Sequence, residues 1–224
     1  MIRSIRAAIF DLDGTLVDSL GLWEYCWTRF GEKYLGDPGF RPDPADDRAY
    51  RTQPVADSMR HAHAKYGLGA TGDALVAETD EIMLDFYANR VETKPGVREL
   101  LAYLAGHGVR MCIASATSQD FLKVALQHCG IDGYFEKFFS CVDLGVGKDK
   151  PDVFLLAADY LGAKPGEICV FEDSALAVQT AAGIGMNTVG IFDRNNYGQD
   201  VLKATATVYI AEGESLARLI PSDM

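Results

Sequence analysis

Two aspartates one residue apart, Asp11 and Asp13, end the apolar run Ala7-Ala8-Ile9-Phe10, and Gly14 and Thr15 turn the chain directly after them. Two anions this close need a cation or a proton. The pair therefore offers a magnesium site, a carboxylate nucleophile and a general acid within one turn of chain. Three further stations carry compatible chemistry. Ser115 follows the apolar run at 109–114 and precedes Ala116-Thr117-Ser118; a hydroxyl with backbone N–H groups at a strand-to-helix turn cradles an anion. Lys148, in Gly147-Lys148-Asp149-Lys150-Pro151-Asp152, can neutralise a phosphate and hold a nucleophilic carboxylate ionised. Glu172-Asp173-Ser174 follows the apolar run at 168–171, and this second acidic pair completes an oxygen-rich magnesium site with Asp11.

Each station alone has a plain alternative. A DxD is commonly a turn or capping pair, Ser115 an N-cap, Lys148 a solvated loop charge, and Glu172-Asp173 an acidic helix start. Their shared position gives them weight, because all four follow, in order, from the elements that must hold them. A continuous apolar run bounded by turn residues reads as a strand buried on both faces. Such runs at 7–10, 109–114, 138–141, 168–171, 187–191 and 207–210 alternate with helical patterns at 96–105, 120–129, 152–160 and 175–182. Alternation of this kind implies right-handed crossovers and an α/β fold, a doubly wound, Rossmann-like parallel sheet. In such sheets chemistry sits just past the carboxyl ends of the strands.

Between residue 19 and residue 91 the pattern is helical instead. Leu22, Trp23, Cys26, Trp27, Phe30 and Tyr34 recur at helical spacing, residues 36–44 form a Pro/Gly/Asp loop, and 55–66 and 75–87 are amphipathic. This predicts an α-helical cap domain at 18–93 inserted into an α/β core made of 1–17 and 94–224.

Composition narrows the function classes. The 224 residues carry a formal net charge of −11 and no basic block, which argues against nucleic acid as the partner. Cys26, Cys112, Cys129, Cys141 and Cys169 show no CxxC spacing, and an odd number of cysteines without a secretory signal suits a reducing cytoplasm. No apolar stretch is long enough to span a membrane. The expected protein is a cytoplasmic monomer whose partner is a small molecule.

These residues resemble the haloacid dehalogenase superfamily, in the branch with a small helical cap after the first strand, and are similar to its sugar-phosphate phosphatase and β-phosphoglucomutase group. Asp11-Leu12-Asp13-Gly14-Thr15-Leu16-Val17-Asp18-Ser19 matches the first motif, Ile113-Ala114-Ser115-Ala116-Thr117 the second, Lys148 with Pro151-Asp152-Val153-Phe154 the third, and Glu172-Asp173-Ser174 with Ala181-Ala182-Gly183-Ile184-Gly185-Met186 the fourth. Two positions depart from the pattern: the first proline after the third-motif lysine is missing, and Ala177 stands where glycine is common. The resemblance implies that Asp11 attacks phosphorus and forms an aspartyl phosphate, and that Asp13 protonates the leaving alcohol and then deprotonates water. It also implies that Mg2+ is held by Asp11, the Asp13 backbone carbonyl and Asp173, with Glu172 in support, and that Ser115, Ala116 and Lys148 hold the phosphate of a small phosphate ester. A halide leaving group needs no proton, so Asp13 argues against dehalogenation. The group's mutases usually carry Gly-x-Ser-Arg where this chain has Thr52-Gln53-Pro54-Val55, which favours a phosphatase over a mutase. The different-class alternative is a signalling module that merely accepts phosphate on Asp11, but such a receiver is about half this length and lacks the helical insert.

Other motifs read as structure. Gly67-Leu68-Gly69-Ala70-Thr71-Gly72 matches GxGxxG but follows a helical segment, so Gly67 reads as a helix stop. His61 and His63 do not share a helix face and read as surface residues. Trp23, Tyr25 and Trp27 suit either a pocket wall or a core. Arg48 and Arg51 are candidates for a polar or anionic substrate, and a solvated helix face reads equally well.

Overall fold

The computed structural model of the chain describes residues 4–51 and 53–221; Thr52, part of the segment set against the mutase pattern, lies outside them. Among the described residues six parallel strands form one sheet: β1 (Ala7–Phe10), β2 (Arg110–Ser115), β3 (Phe138–Ser140), β4 (Ile168–Glu172), β5 (Asn187–Ile191) and β6 (Val208–Ile210). Their order is β3-β2-β1-β4-β5-β6. The strand order reverses between β1 and β4, and in doubly wound sheets ligands bind in the crevice that this reversal opens.

The chain divides into two compact units: the residues up to Leu20 with those from Val91 onward, and Gly21–Arg90. Where the chain leaves and rejoins the first unit it forms a short antiparallel ribbon. Asp18 N donates to the Glu92 carbonyl at 3.0 Å, Lys94 N to the Leu16 carbonyl at 2.9 Å, and Val17 bridges Thr93. The expected boundaries at 17/18 and 93/94 fall inside this ribbon.

The second unit contains α1 (Leu22–Phe30), which runs into a π-helical turn at Gly31–Leu35, then α2 (Pro44–Tyr50), α3 (Val55–Tyr66) and α4 (Gly72–Asn89). Trp27 is fully buried. Its indole N–H donates to Asp47 at 2.9 Å and its ring packs against Trp23, Phe30 and Tyr50, so it belongs to this unit's core. Gly67 adopts φ 72° and stops α3, and Thr71 caps α4 by accepting from Ala74 N at 3.0 Å. The GxGxxG run is therefore a helix stop followed by a helix start. His63 is half-buried rather than exposed, because its Nδ1 donates to the Leu68 carbonyl at 2.7 Å.

In the first unit α5 (Val97–Gly106), α6 (Gln119–His128), α7 (Cys141–Leu144), α8 (Asp152–Leu161), α9 (Ala175–Gly183) and α10 (Gln199–Thr205) surround the sheet. On one face Ala7, Ile9, Cys112, Ala114, Ile168 and Val170 pack with Val153, Phe154, Ala157 and Leu161 of α8 and with Ala177 and Ala181 of α9. Ala177 is fully buried there, so the methyl group gained over glycine fills core volume. Elsewhere Phe10 stacks on Phe171 at 4.2 Å and meets Phe135 edge-on at 5.8 Å. Burying each such ring contributes roughly 1.5–3 kcal/mol, which fixes the ends of β1 and β4 relative to each other. No helix of the described residues is long and apolar enough to cross a membrane.

Candidate active site

The register of the central strands assembles the acidic cluster. Phe10 pairs with Phe171 across β1 and β4, and Asp11 N donates to the Phe171 carbonyl at 3.0 Å. Both strands therefore end in step, with Asp11 beside Glu172 and Asp173. One carboxylate oxygen from each of the three lies within 4.8 Å of the others. All three residues are buried.

Lys148 reaches this cluster from the loop before α8. Its Nζ lies 2.8 Å from Asp11 Oδ1 and 2.5 Å from Glu172 Oε1, and its side chain is 12% exposed. Of the two lysines in the loop, it is Lys148 that faces the carboxylates, while Lys150 is exposed. Burial alone pulls the Lys148 pKa down, but Asp11 and Glu172 outweigh burial and hold it above the ordinary lysine value. Burial pushes the Glu172 carboxyl up to about 7, against the pull of Lys148. Burial, then Glu172 and Asp11, push Asp173 well above the ordinary carboxylate range, and a hydrogen bond from Asn196 opposes the shift.

This donor set fits a divalent cation. Three carboxylates against one ammonium leave an excess of two negative charges when all are ionised. Asp11 Oδ1 is buried against the Lys148 ammonium at 2.8 Å, and among the described residues no other donor reaches this oxygen. A hard cation with oxygen ligands would satisfy both the charge and the oxygen. Gly14 makes the crowding possible: its φ is 73°, and a Cβ there would lie 2.2 Å from Asp173 Oδ2.

Asp13 is held separately. Ser19 Oγ donates to its Oδ1 and Thr117 Oγ1 to its Oδ2, each at 2.6 Å. Thr117 N donates to Ser115 Oγ at 3.2 Å, which occupies an acceptor site and leaves the serine's own proton to donate. Ser115 is buried at the end of β2 and Ala116 is exposed beside it. The N-cap position of the helix that follows is Ser118, not Ser115. Asp11, Asp13, Ser115, Lys148, Glu172 and Asp173 thus share one edge of the sheet, at the carboxyl ends of β1, β2 and β4 and in the loop after α7.

Arg48 and Arg51 lie in the helical unit. Arg51 pairs with Asp47 at 2.8 Å and with Glu24 at 3.5 Å, leaving its side chain 11% exposed, while Arg48 is exposed. Four residues beyond those singled out from sequence also engage the acidic groups: Ser19 and Thr117 on Asp13, and Thr15 and Asn196 on Asp173. The signal for Asn196 was its place just past the carboxyl end of β5, the same rule that marks the other stations.

Residues 5–185 match the haloacid dehalogenase-like hydrolase family. The chain is 26% identical over 224 residues to a phosphorylated carbohydrates phosphatase of Thermotoga maritima, covering 95% of this chain and 97% of that protein. It is 28% identical over 219 residues to the (S)-2-haloacid dehalogenase 4A of Burkholderia cepacia, covering 88% of this chain and 87% of that one. The crystal structure of CbbY from Rhodobacter sphaeroides in complex with phosphate shares the fold, with a TM-score of 0.77, 20% identity and 96% of each chain covered. The match spans most of the chain and runs through the acidic strand ends on β1 and β4, the serine on β2 and the loop lysine, and the chain belongs to the haloacid dehalogenase-like hydrolases.

Proposed function

We propose that this protein is a magnesium-dependent phosphatase of small phosphate monoesters, sugar phosphates among them, acting through an aspartyl-phosphate intermediate. The carrying observation is Asp13, a second carboxyl group two residues from Asp11, gripped on both oxygens by hydroxyl groups. An alkoxide leaving group needs a proton and a halide does not, so this carboxyl group has work in ester cleavage and none in dehalogenation. A phosphatase of phosphorylated carbohydrates among its relatives supports the same reading.

In this mechanism an Asp11 oxygen attacks phosphorus as the bond to the alkyl oxygen breaks, and Asp13 delivers its proton to that oxygen. Asp13, now ionised, takes a proton from water as the water oxygen attacks phosphorus and the bond to Asp11 breaks, releasing inorganic phosphate and restoring both carboxyl groups. Ser19 and Thr117 suit both states of Asp13, because a hydroxyl group can donate to a carboxylate or accept from a carboxylic acid. The Ser115 hydroxyl, the backbone at Ala116 and the Lys148 ammonium hold the phosphate oxygens, and Lys148, 2.8 Å from Asp11 Oδ1, also orients the nucleophile. Asp11, Asp173 and the Asp13 carbonyl, with Glu172 in support, would hold Mg2+, which when bound offsets the charge of the transferring phosphoryl group.

Substrate selection is assigned to the helical unit. Its candidate substrate contacts are Arg48, which is exposed, and Arg51, which pairs with Asp47 and Glu24. The five free cysteines are all buried, which suits work in a reducing compartment such as the cytoplasm.

The test is phosphate release from a panel of sugar phosphates, nucleotides and phosphoglycolate, with and without Mg2+. Magnesium-dependent release that disappears in Asp11→Asn is expected. Substantial turnover in that variant overturns the assignment. Isomerisation of β-glucose 1-phosphate on addition of a bisphosphate, without net phosphate release, makes the protein a mutase instead.

A further inference from the structure

We propose that Asn196 is a positioning residue that orients the Asp173 carboxylate toward its metal; the proposal rests on reading Asp173 as a ligand of a divalent cation. Asn196 Nδ2 donates to Asp173 Oδ2 at 2.7 Å and to the Asp173 backbone carbonyl at 3.3 Å. The amide orientation follows from its other end, where Asn196 Oδ1 accepts from Tyr197 N at 2.7 Å. The side-chain donor on the opposite oxygen of Asp173 is more distant, Thr15 Oγ1 at 3.4 Å. The position is closed from the first-motif loop as well, since only a glycine at 14 leaves room for Oδ2. Asn196 therefore supplies the one short side-chain bond to this carboxylate among the described residues, and that bond selects which oxygen remains for a metal.

The residue type matters as much as the distance. Asp173 is buried next to Glu172 and Asp11, so its ionised form needs support. A lysine or arginine would give that support and then compete with the cation for the charge. A carboxamide donates a proton to the carboxylate and adds no charge of its own, leaving the anion for the metal.

The turn that carries Asn196 is anchored. Asp193, 2% exposed, accepts from Asn195 N at 2.8 Å, and Asn196 N donates to the Asp193 carbonyl at 3.2 Å. Lys94 Nζ pairs with Asp193 Oδ2 at 2.7 Å and donates to the Phe192 carbonyl at 3.0 Å. Lys94 itself belongs to the ribbon where the chain returns from the helical unit, through its N–H bond to Leu16. A continuous set of short polar contacts thus runs from that ribbon through Lys94, Asp193 and Asn196 to Asp173.

The test uses Mn2+ as the probe, titrated into the metal-free full-length protein and followed by calorimetry or by electron paramagnetic resonance of the free ion, alongside thermal unfolding of each metal-free variant. Groups that orient metal ligands typically change affinity by 10–100-fold when removed. Asn196→Leu and Asn196→Ala should each bind Mn2+ about 10–100-fold more weakly than wild type while unfolding cooperatively. Wild-type affinity in Asn196→Ala overturns the proposal whatever Asn196→Leu does, because a loss confined to leucine reports bulk and not a missing bond. Should the leucine variant fail to fold, the alanine variant decides alone. A wild-type protein that binds no Mn2+ overturns the metal reading of the acidic trio, and the role of Asn196 with it.

Discussion

Replacing Asp13 with Asn separates its proton from its shape. Both carboxylate oxygens lie 2.6 Å from a hydroxyl group, Ser19 on one side and Thr117 on the other. A carboxamide can keep both contacts, accepting through its oxygen and donating through its nitrogen, because either hydroxyl can rotate to match. The variant should therefore fold as wild type does and lose proton transfer alone. General acid–base catalysis is worth about 10²–10⁴ in rate, or about 2.7–5.4 kcal/mol at 1.36 kcal/mol per tenfold. On an alkyl phosphate kcat/KM should fall by that factor, since the alkoxide leaves unprotonated. On an aryl phosphate with an acidic phenol the first step needs little help, whereas hydrolysis of the aspartyl phosphate still needs Asp13 as base. Stopped-flow measurement of the phenolate should then show a burst equal to the enzyme present, followed by slow turnover. Wild-type turnover of the alkyl ester by Asp13→Asn refutes the acid–base role. So does an equal loss on both esters with no burst, which would make Asp13 a structural residue.

Three further outcomes follow from the same geometry. Mg2+ at about a hundredfold over its dissociation constant should stabilise the protein by about 2.7 kcal/mol and raise the unfolding midpoint, with the gain lost in Asp173→Asn; a midpoint indifferent to Mg2+ removes the site. Lys94→Met leaves Asp193, 2% exposed, as an unpaired buried carboxylate, which should cost about 3–5 kcal/mol in urea unfolding; a loss below ~1 kcal/mol, the range of exposed pairs, would show that the pair is dispensable. Gly14→Ala puts an L side chain at φ 73° and a methyl carbon 2.2 Å from Asp173 Oδ2. The backbone alone costs roughly 1–2 kcal/mol, and the displaced carboxylate should weaken Mn2+ binding, so a variant with wild-type stability and affinity contradicts the packing described.

What could be read from the chain alone follows the range of the interactions involved. The strand ends at Asp11, Ser115 and Glu172 were legible because an apolar run and the turn behind it are contiguous, and β5 falls on the predicted residues 187–191. The helices that escaped notice are short ones whose signals are weak or masked. α2 begins at Pro44, a residue that also closes a Pro/Gly/Asp loop, and Pro at the first helical position reads as loop until the next turn is known. α7 spans only Cys141–Leu144, on a Ser140 cap that looks like the end of a strand. Tertiary pairing accounts for the rest. Thr117 meets Asp13 across 104 residues and Lys94 meets Asp193 across 99, and neither spacing carries a period. Asn196 shows where the boundary falls. It lies past the carboxyl end of β5, at the same edge of the parallel sheet as Ser115 at the carboxyl end of β2, but an asparagine has no charge or nucleophilicity to mark it. Only the distance to Asp173, 2.7 Å, separates it from an ordinary turn residue. Residues that perform chemistry announce it by type, while those that position them do so only through the contacts that the fold creates.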